Sequence, residues 1–399
     1  MNNNFFTASE ELQKEGKTTM ALREGCLAFR PGKIGVLEIK NRLVRSATWE
    51  NAASESGHVT DPLLDIYRAL GKGGAGLIMT SHSVVHPRGM TDPRMIWIAD
   101  DSYIPSVRKL ARAVHEAASD CRVMIQLTHS GRQPTPGTGV EPVGPSAVYD
   151  EFSKQTPREM TLEEIEEVIE AFAHAIRRAR EAELDGVELH GAHGYLLSSF
   201  LSPRTNRRKD RYGGSVENRC RIVHEIVERG HKEAGCGFPI LIKMNTTDYL
   251  PGGMDIHEAK KVAECLDQTA IAAFEISGCT WETITRSEEE LGFKPALIPE
   301  AWEGIKTKEQ EAYFWQYAKE IRKVVNKPII LVGGLRSIGK VEEILEEGCV
   351  DFCAICRPLV REPGLPNRWL RGEGSETAAC ISCNKCIPEE GPLRCVFNR

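Results

Sequence analysis

Short apolar runs alternate with amphipathic helical patterns along most of the chain. Eight runs are apolar along nearly their whole length and are bounded by Gly, Pro and polar residues, which is typical of strands covered on both faces. They are Leu43–Ala47, Gly76–Thr80, Arg122–Leu127, Gly186–His190, Ile240–Asn245, Ala272–Ser277, Pro328–Val332 and Asp351–Ile355. A helical pattern follows each run, most weakly after the eighth.

The clearest helix is predicted from Leu162 to Ala182. Thr161 and Glu164 have the spacing of a capping box at its start. Apolar residues then recur at helical spacing, at Leu162, Ile165, Val168, Ile169, Phe172 and Ile176.

Eight strand–helix units in one chain predict an α/β protein whose strands close into a (β/α)8 TIM barrel. A doubly wound open sheet is the alternative, because a count of this kind can miss a strand. In a barrel, binding and catalytic residues lie at the carboxyl ends of the strands. The residues that end the predicted strands are therefore the candidates for a functional site.

Length and composition narrow the function classes. The chain has 399 residues, of which 41% are hydrophobic, and this suits one large α/β domain with additions or two average domains. A net charge of −6 does not suggest a nucleic-acid or membrane-surface partner. No apolar stretch reaches the ~18 residues of a membrane span, and the polar N-terminus lacks the apolar run of a signal peptide. We therefore expect a cytoplasmic protein.

The chain divides into three regions by composition. Residues 1–28 are expected to form a flexible extension, residues 29–372 the barrel, and residues 373–399 a cysteine-rich tail. The tail needs its own explanation, because four of the 13 cysteines lie close together there.

The seventh and eighth strands end in residues suited to phosphate. Gly333 and Gly334 follow strand seven, and Cys356 and Arg357 follow strand eight. Loops after these two strands commonly bind phosphate in barrels, where glycine lets backbone N–H groups approach and arginine adds a charged donor. The pattern predicts a phosphate site, although a Gly-Gly pair alone often marks only a turn.

The fourth strand ends in two histidines and a tyrosine, His190, His193 and Tyr195. At a strand end these side chains suit hydrogen-bond donation and proton transfer. Two alternatives stay open. The His-x-x-His spacing can bind zinc, although no carboxylate is an obvious third ligand, and the histidines can simply be packed and hydrogen-bonded beside a packed tyrosine.

Longer motifs carry a resemblance to a known family. Lys40-Asn41-Arg42-Leu43 opens the first strand, Gln126 to Arg132 closes the third, and a long specific segment extends from His190 to Arg219. From about Phe29 to Pro366 the chain resembles the Old Yellow Enzyme, or NADH:flavin oxidoreductase, family. The resemblance implies a (β/α)8 barrel that binds FMN.

The same resemblance assigns cofactor roles. It implies that Ser46, Ala47 and Thr48 line the flavin ring. Gln126 would hydrogen-bond the pyrimidine edge, and Lys243 would place a cation there that stabilises the anionic reduced flavin. The phosphate would be bound by Gly333, Gly334, Cys356 and Arg357.

It also implies a reaction. His190 and His193 match the pair that binds a substrate carbonyl oxygen, so that the β-carbon of an enone becomes electrophilic and accepts hydride from reduced flavin. Tyr195 matches the residue that often protonates the α-carbon. NAD(P)H would reduce the flavin again at the same face, in ping-pong turnover.

Three positions depart from the family pattern. Trp49 stands where relatives often carry Cys, Thr or His, so a covalent cysteinyl flavin is not expected and the substrate pocket is altered. Cys356 replaces a glycine. His82 ends the predicted second strand, where smaller residues are common, and either lines the pocket or packs beneath it.

The tail carries Cys380, Cys383, Cys386 and Cys395 with the spacing C-x2-C-x2-C-x8-C. Four thiolates at such spacing can bind an iron–sulfur cluster or zinc. The tail resembles the [4Fe–4S] segment of the multidomain branch of the family, typified by trimethylamine dehydrogenase and 2,4-dienoyl-CoA reductase, although the last gap is shorter here. A [4Fe–4S] cluster is favoured, with zinc and no metal as alternatives.

The resulting expectation is an FMN-dependent ene-reductase that acts on a small-molecule enone or enoyl compound with NAD(P)H. One alternative is an amine or demethylating dehydrogenase that passes electrons through the cluster to a ferredoxin or an electron-transfer flavoprotein, since the sequence ends four residues after Cys395. Another is a partner-dependent electron-transfer subunit. No membrane or nucleic-acid partner is expected, and a homo-oligomer is left open.

Overall fold

Eight parallel strands close into a barrel in the computed structural model, which describes residues 25–296, 298–386 and 391–398. Each strand pairs with the next along the chain, and the eighth pairs with the first. We number them one to eight: Leu43–Arg45, Leu77–Val84, Arg122–Thr128, Gly186–Gly191, Ile240–Asn245, Phe274–Ser277, Ile329–Leu331 and Phe352–Ile355. The predicted (β/α)8 TIM barrel is confirmed.

The second strand is longer than predicted. It extends to Val84 instead of ending at Thr80, and its pairing with strand three shifts between Met79 and His82. His82 therefore lies within the strand, and the prediction that it ends the strand is wrong. A bulge of this kind explains the error, because it lets polar residues continue a strand beyond the apolar run.

Helices cover the outside of the barrel. The long ones are Asp61–Lys72, Ile104–Ala117, Leu162–Glu181, Val216–Ala234, Ile256–Asp267, Trp315–Arg322 and Ile338–Glu346. Short helices are Leu196–Leu201, Glu288–Leu291, Arg357–Arg361 and Leu365–Leu370, with 3-10 turns at Leu27–Phe29, Pro87–Gly89, Asp101–Tyr103, Trp281–Thr285 and Lys308–Gln310. The predicted capping box is present, since the Thr161 hydroxyl accepts the Glu164 N–H and the Glu164 carboxylate accepts the Thr161 N–H.

A β-hairpin closes the amino end of the barrel. Its strands, Gly32–Ile34 and Leu37–Ile39, pair antiparallel, and Ile34 and Ile39 are fully buried against the barrel interior. Phe352 of strand eight belongs to the same apolar cluster and lies so close to the hairpin that a Cβ at Gly32 would meet its ring at 2.5 Å. A two-stranded parallel piece, Val143–Gly144 with Arg158–Glu159, lies in a loop.

The start of the chain can be compared with the predicted N-terminal extension. Residues 1–24 of the predicted extension lie outside the described residues. The backbone N–H groups of Leu27 and Ala28 donate to the Glu342 carboxylate at 2.8 and 2.7 Å, so the described end of that region is anchored to the barrel. The division into three regions stays a prediction. Within the described residues, none of the helices combines the length and the apolar character needed to cross a membrane.

Candidate active site

A cavity of about 320 Å³ opens at the carboxyl ends of the strands, and its volume suits a small-molecule ligand. Strands one to five, seven and eight, or the residues that follow them, contribute to its wall. All thirteen residues predicted for the flavin and for catalysis line it, namely Ser46, Ala47, Thr48, His82, Gln126, His190, His193, Tyr195, Lys243, Gly333, Gly334, Cys356 and Arg357.

Residues 46–49 follow strand one and form one wall of the cavity. Behind them Arg45 is buried and lies 3.5 Å from the Glu50 carboxylate, while its guanidinium donates to the Ser46 carbonyl and the Thr48 hydroxyl. Burial raises the pKa of Glu50 to about 7, although Arg45 opposes this. The wall is thus supported from behind by the buried Arg45, and Trp49 at its end lines the cavity.

Lys243 lies in a buried hydrogen-bonded layer at the floor of the cavity. Its Nζ donates to the Ser46 hydroxyl at 3.0 Å and lies 3.0 Å from Oε1 of Glu275. The Ser46 hydroxyl in turn donates to Glu275 at 2.6 Å. Burial alone would lower the pKa of Lys243, but the carboxyls of Glu275 and Glu188 raise it, so the side chain is a cation.

Gln126 is held by a second buried glutamate. Its Nε2 donates to Oε2 of Glu188 at 2.7 Å. Glu188 and Glu275 were missed from the sequence, although a signal was present, since each is an acidic residue in the middle of an apolar run. A charged side chain inside a buried strand normally has a hydrogen-bonding or ionic partner. Here the partners, Gln126 and Lys243, are candidate site residues.

His190 and His193 meet with their ring planes perpendicular and their centroids 5.1 Å apart. Nε2 of His193 lies 2.8 Å from the Ser277 hydroxyl, and Nδ1 of His190 is buried without a hydrogen-bond partner. Burial lowers the pKa of both imidazoles well below the usual range, with further lowering from His193 on His190 and from Lys243 on His193. Both rings are therefore neutral at neutral pH, and each has one N–H to donate.

Tyr195 lies beside His190, with ring centroids 4.8 Å apart. Its hydroxyl oxygen accepts a hydrogen bond from Trp281 Nε1 at 3.1 Å, which leaves the phenolic proton free to be donated. Burial, with a contribution from Asp92, raises the pKa of Tyr195 well above 10.0, so the phenol stays protonated.

The phosphate end is formed by the loops after strands seven and eight. Gly333 and Gly334 adopt φ angles of 127° and 71°, and a Cβ at either position would meet the Tyr313 ring. Nη1 of Arg357 donates to the Trp302 carbonyl at 2.8 Å and to Asn384 Oδ1 at 2.5 Å. The predicted phosphate residues thus lie together, with the guanidinium engaged by a loop and by the tail.

The profile of the NADH:flavin oxidoreductase / NADH oxidase family matches residues 28–373. The chain belongs to this family. Among its relatives, the NADH oxidase of Thermoanaerobacter brockii is 38% identical over 378 residues, covering 93% of this chain and 55% of the relative. A 2-naphthoyl-CoA reductase structure has a TM-score of 0.81 and 29% identity, covering 91% of this chain and 55% of that one.

Histamine dehydrogenase from Rhizobium sp. 4-9 is a second structural relative, with a TM-score of 0.74 and 25% identity, covering 87% of this chain and 48% of that one. The chain spans 55% and 53% of the length of the first curated relatives that it matches. The match to the family therefore covers the barrel, and these first relatives are longer than this chain.

In this member of the NADH:flavin oxidoreductase family, part of the tail reaches the cavity. Cys386 lines the cavity with Ser382 and Leu393, and Cys395 accepts a hydrogen bond from Arg361 at 3.5 Å. Across the described residues, which include all four tail cysteines, no three His, Cys, Asp or Glu side chains are grouped so as to hold a metal ion. The [4Fe–4S] cluster and its zinc alternative therefore stay predictions, and the described residues also show no ligand set for zinc at His190 and His193.

Several cavity residues of this family member were not predicted. Asp92, Glu300 and Tyr313 reach the cavity from loops, and Trp281 reaches it from the start of a 3-10 turn. Oε1 of Glu300 lies 3.8 Å from His193 Nδ1. Loop residues carry no periodic pattern, so no signal in the sequence could have found them.

Proposed function

We propose that this chain is an FMN-dependent oxidoreductase that oxidises NAD(P)H and reduces the activated C=C bond of an enone or enoyl compound. One observation carries the proposal. A buried cation, Lys243, and two neutral histidines, His190 and His193, converge with the protonated Tyr195 on one cavity in a chain of the NADH:flavin oxidoreductase family.

The cavity residues fit FMN. Glycines at 333 and 334 keep the backbone open where a phosphate would lie, and Arg357 supplies a cation there. Lys243 and Gln126 offer an ammonium and an amide to the pyrimidine edge, as Ser46 to Thr48 offer a wall for the ring. Bound FMN would supply hydride chemistry. Arg357 uses Nη1 for its contacts with Trp302 and Asn384, so its other guanidinium N–H groups would be the donors to a phosphate.

The histidines would orient the substrate. With the Ser277 hydroxyl donating to Nε2 of His193, the Nδ1–H of that ring faces the cavity. The His190 ring lines the same cavity, and because its Nδ1 is buried, its Nε2–H would be the donor to a carbonyl oxygen. Two neutral donors on one oxygen polarise an enone without needing a charge, and Tyr195 would give its phenolic proton to the α-carbon.

The test is steady-state turnover of the FMN-loaded protein with NADH or NADPH and a panel of enones. We expect loss of the C=C bond that depends on the nicotinamide. Tyr195→Phe should slow enone reduction by about 100-fold, as expected for loss of a general acid, but should leave flavin reduction by the nicotinamide unchanged. A protein that binds FMN and reduces none of the enones would contradict the proposal.

A second candidate is oxidation of an amine. The carboxyls of Asp92 and Glu300 and the indoles of Trp49 and Trp281 share the cavity, and acidic and aromatic groups together suit a cation. The structural similarity to a histamine dehydrogenase also supports this candidate. Reduction of the bound FMN by an added amine, with electrons passing to an added carrier, would favour this candidate over the first.

The cysteine spacing supports a [4Fe–4S] cluster in the tail as a further proposal, although the described thiols are not grouped for it. Iron, zinc and sulfide analysis of anaerobically purified protein, with its absorption spectrum, distinguishes a cluster from zinc and from free thiols. No step of the reaction proposed above passes through the tail.

A further inference from the structure

Two glutamates of the barrel interior, Glu188 and Glu275, lie beneath the cavity and have no role in the reaction proposed above. They belong to strands four and six, and both are 0% exposed. Two carboxylates buried beside a single lysine would leave one negative charge uncompensated, which is costly inside a protein. We call these two residues the carboxyl pair.

Each member of the carboxyl pair has one oxygen that receives a donor. Oε2 of Glu188 accepts from Gln126 Nε2 at 2.7 Å, and Oε1 of Glu275 accepts from the Ser46 hydroxyl at 2.6 Å and lies 3.0 Å from Lys243 Nζ. The other oxygens, Oε1 of Glu188 and Oε2 of Glu275, are buried without a donor. The strands that carry Glu188 and Glu275 both pair with strand five, which carries Lys243, and two carboxylates buried there would have no proton to place between them.

A single proton would satisfy both unpaired oxygens. Burial, together with the neighbouring charge of Glu275, raises the pKa of Glu188 well above its usual value. Burial acts on Glu275 in the same direction, but Lys243 and the hydrogen bond from Glu188 lower its pKa overall. The proton therefore resides on Glu188, and the negative charge resides on Glu275 beside the ammonium of Lys243.

We propose that Glu188 and Glu275 share one proton and act as positioning residues, orienting the Gln126 amide and keeping Lys243 charged at the FMN-binding end of the barrel. This inference rests on the proposed function only for the identity of the ligand. Because Glu188 accepts the Gln126 Nε2–H, the amide oxygen of Gln126 is left to accept an N–H group from the pyrimidine edge of a flavin.

Infrared spectroscopy tests the shared proton without any cofactor. The wild-type minus Glu188→Gln difference spectrum should contain a protonated-carboxyl C=O band that shifts in D2O. The same band should shift or disappear in Glu275→Gln, because the partner of the proton is changed and Glu188 becomes the single carboxyl beside Lys243. Absence of the band from the first difference spectrum, or an unshifted band in Glu275→Gln, would overturn the proposal.

FMN binding tests the positioning role. A glutamine at 188 can still accept from Gln126 and donate to Glu275, so Glu188→Gln should keep the FMN Kd within about twofold of wild type. Glu188→Leu can do neither and should weaken FMN binding by about tenfold or more. Equal losses in the two variants would overturn the role.

FMN binding and the shared proton can be tested separately. A wild-type protein that refuses FMN would contradict the proposed function, while the infrared band would still decide whether the carboxyl pair shares a proton. The infrared comparison uses isosteric variants only, so it decides that question even where Glu188→Leu does not fold.

Discussion

At the amino end of the barrel, the hairpin of residues 32–39 packs Ile34 and Ile39 against Phe352 in an apolar cluster without a charged member. At the carboxyl end the interior holds a lysine, two glutamates and two histidines, all buried. The same strands serve both ends. The contrast indicates that packing at the apolar end stabilises the fold. At the polar end, the burial of charged groups that face a ligand lowers the stability.

The largest effect is expected at the apolar end. Phe352→Ala should lower the free energy of unfolding by about 3–5 kcal/mol, because a fully buried phenylalanine leaves a cavity. FMN affinity of the folded fraction should be unchanged. Val36→Ala, at an exposed position of the hairpin turn, is the matched control and should stay within about 0.5 kcal/mol. Denaturant unfolding and flavin titration measure both. If Phe352→Ala lost FMN binding without a change in the free energy of unfolding, the assignment of stability to the apolar end would be wrong.

The reverse pattern is expected for the histidines. The double variant His190→Ala, His193→Ala should weaken binding of a phenol, seen as a charge-transfer band with bound FMN, by about 100- to 1,000-fold, because two buried donors are lost. FMN itself should still bind. His174→Ala, on an exposed helix face, is the control. Phenol binding that survives in the double variant would remove the pair from the ligand site.

The pH dependence of stability sharpens the comparison at Glu50. Burial raises the pKa of Glu50 from 4.5 to about 7, so the folded protein keeps this proton in a range where the unfolded chain has lost it. The free energy of unfolding should therefore fall as pH rises from 4.5 to 7, by about 3 kcal/mol for this group. Glu50→Gln should lack that component. If the free energy of unfolding depends on pH in the same way in both proteins, the protonation of Glu50 is not the cause of the decrease.

The smallest effect on the barrel is expected from the tail. Cys383→Ser should remove bound iron if the tail holds a cluster, yet change the free energy of unfolding of the barrel by less than about 0.5 kcal/mol. Cys236→Ser, at an exposed cysteine outside the tail, should leave the iron content unchanged. Iron content that is equal in both variants would take Cys383 off the ligand list.

The sequence predicted best the features that depend on the residues of a single strand and its end. The eight apolar runs predicted the barrel, and the polar residues after strands four, seven and eight predicted which side chains line the cavity. Glu188 and Glu275 were not predicted as site residues, because each is a single acidic residue in the middle of an apolar run. The hairpin was missed because its strands have only three residues each, too short for a periodic pattern.

Other parts of the cavity could not be predicted from local patterns. Asp92 and Glu300 come from loops whose positions depend on tertiary packing. The Asp92 carboxylate accepts a hydrogen bond from the Thr135 hydroxyl at 2.6 Å, and Glu300 lies 3.8 Å from His193, and both partners are distant in the sequence. His82 was misplaced at a strand end because the bulge that extends strand two depends on its pairing with strand three.

Ser382, Cys386 and Leu393 give the far end of the chain a place in the cavity wall, where Leu393 donates its N–H to the Glu50 carbonyl at 2.8 Å. A ligand in the cavity would touch a segment that lies beyond the last barrel helix. Chemical change at Cys386, the tail cysteine that lines the cavity, would therefore alter the surroundings of a bound chromophore. The visible spectrum of a loaded protein would serve as an intrinsic reporter of whether its thiols are reduced, oxidised or bound to metal.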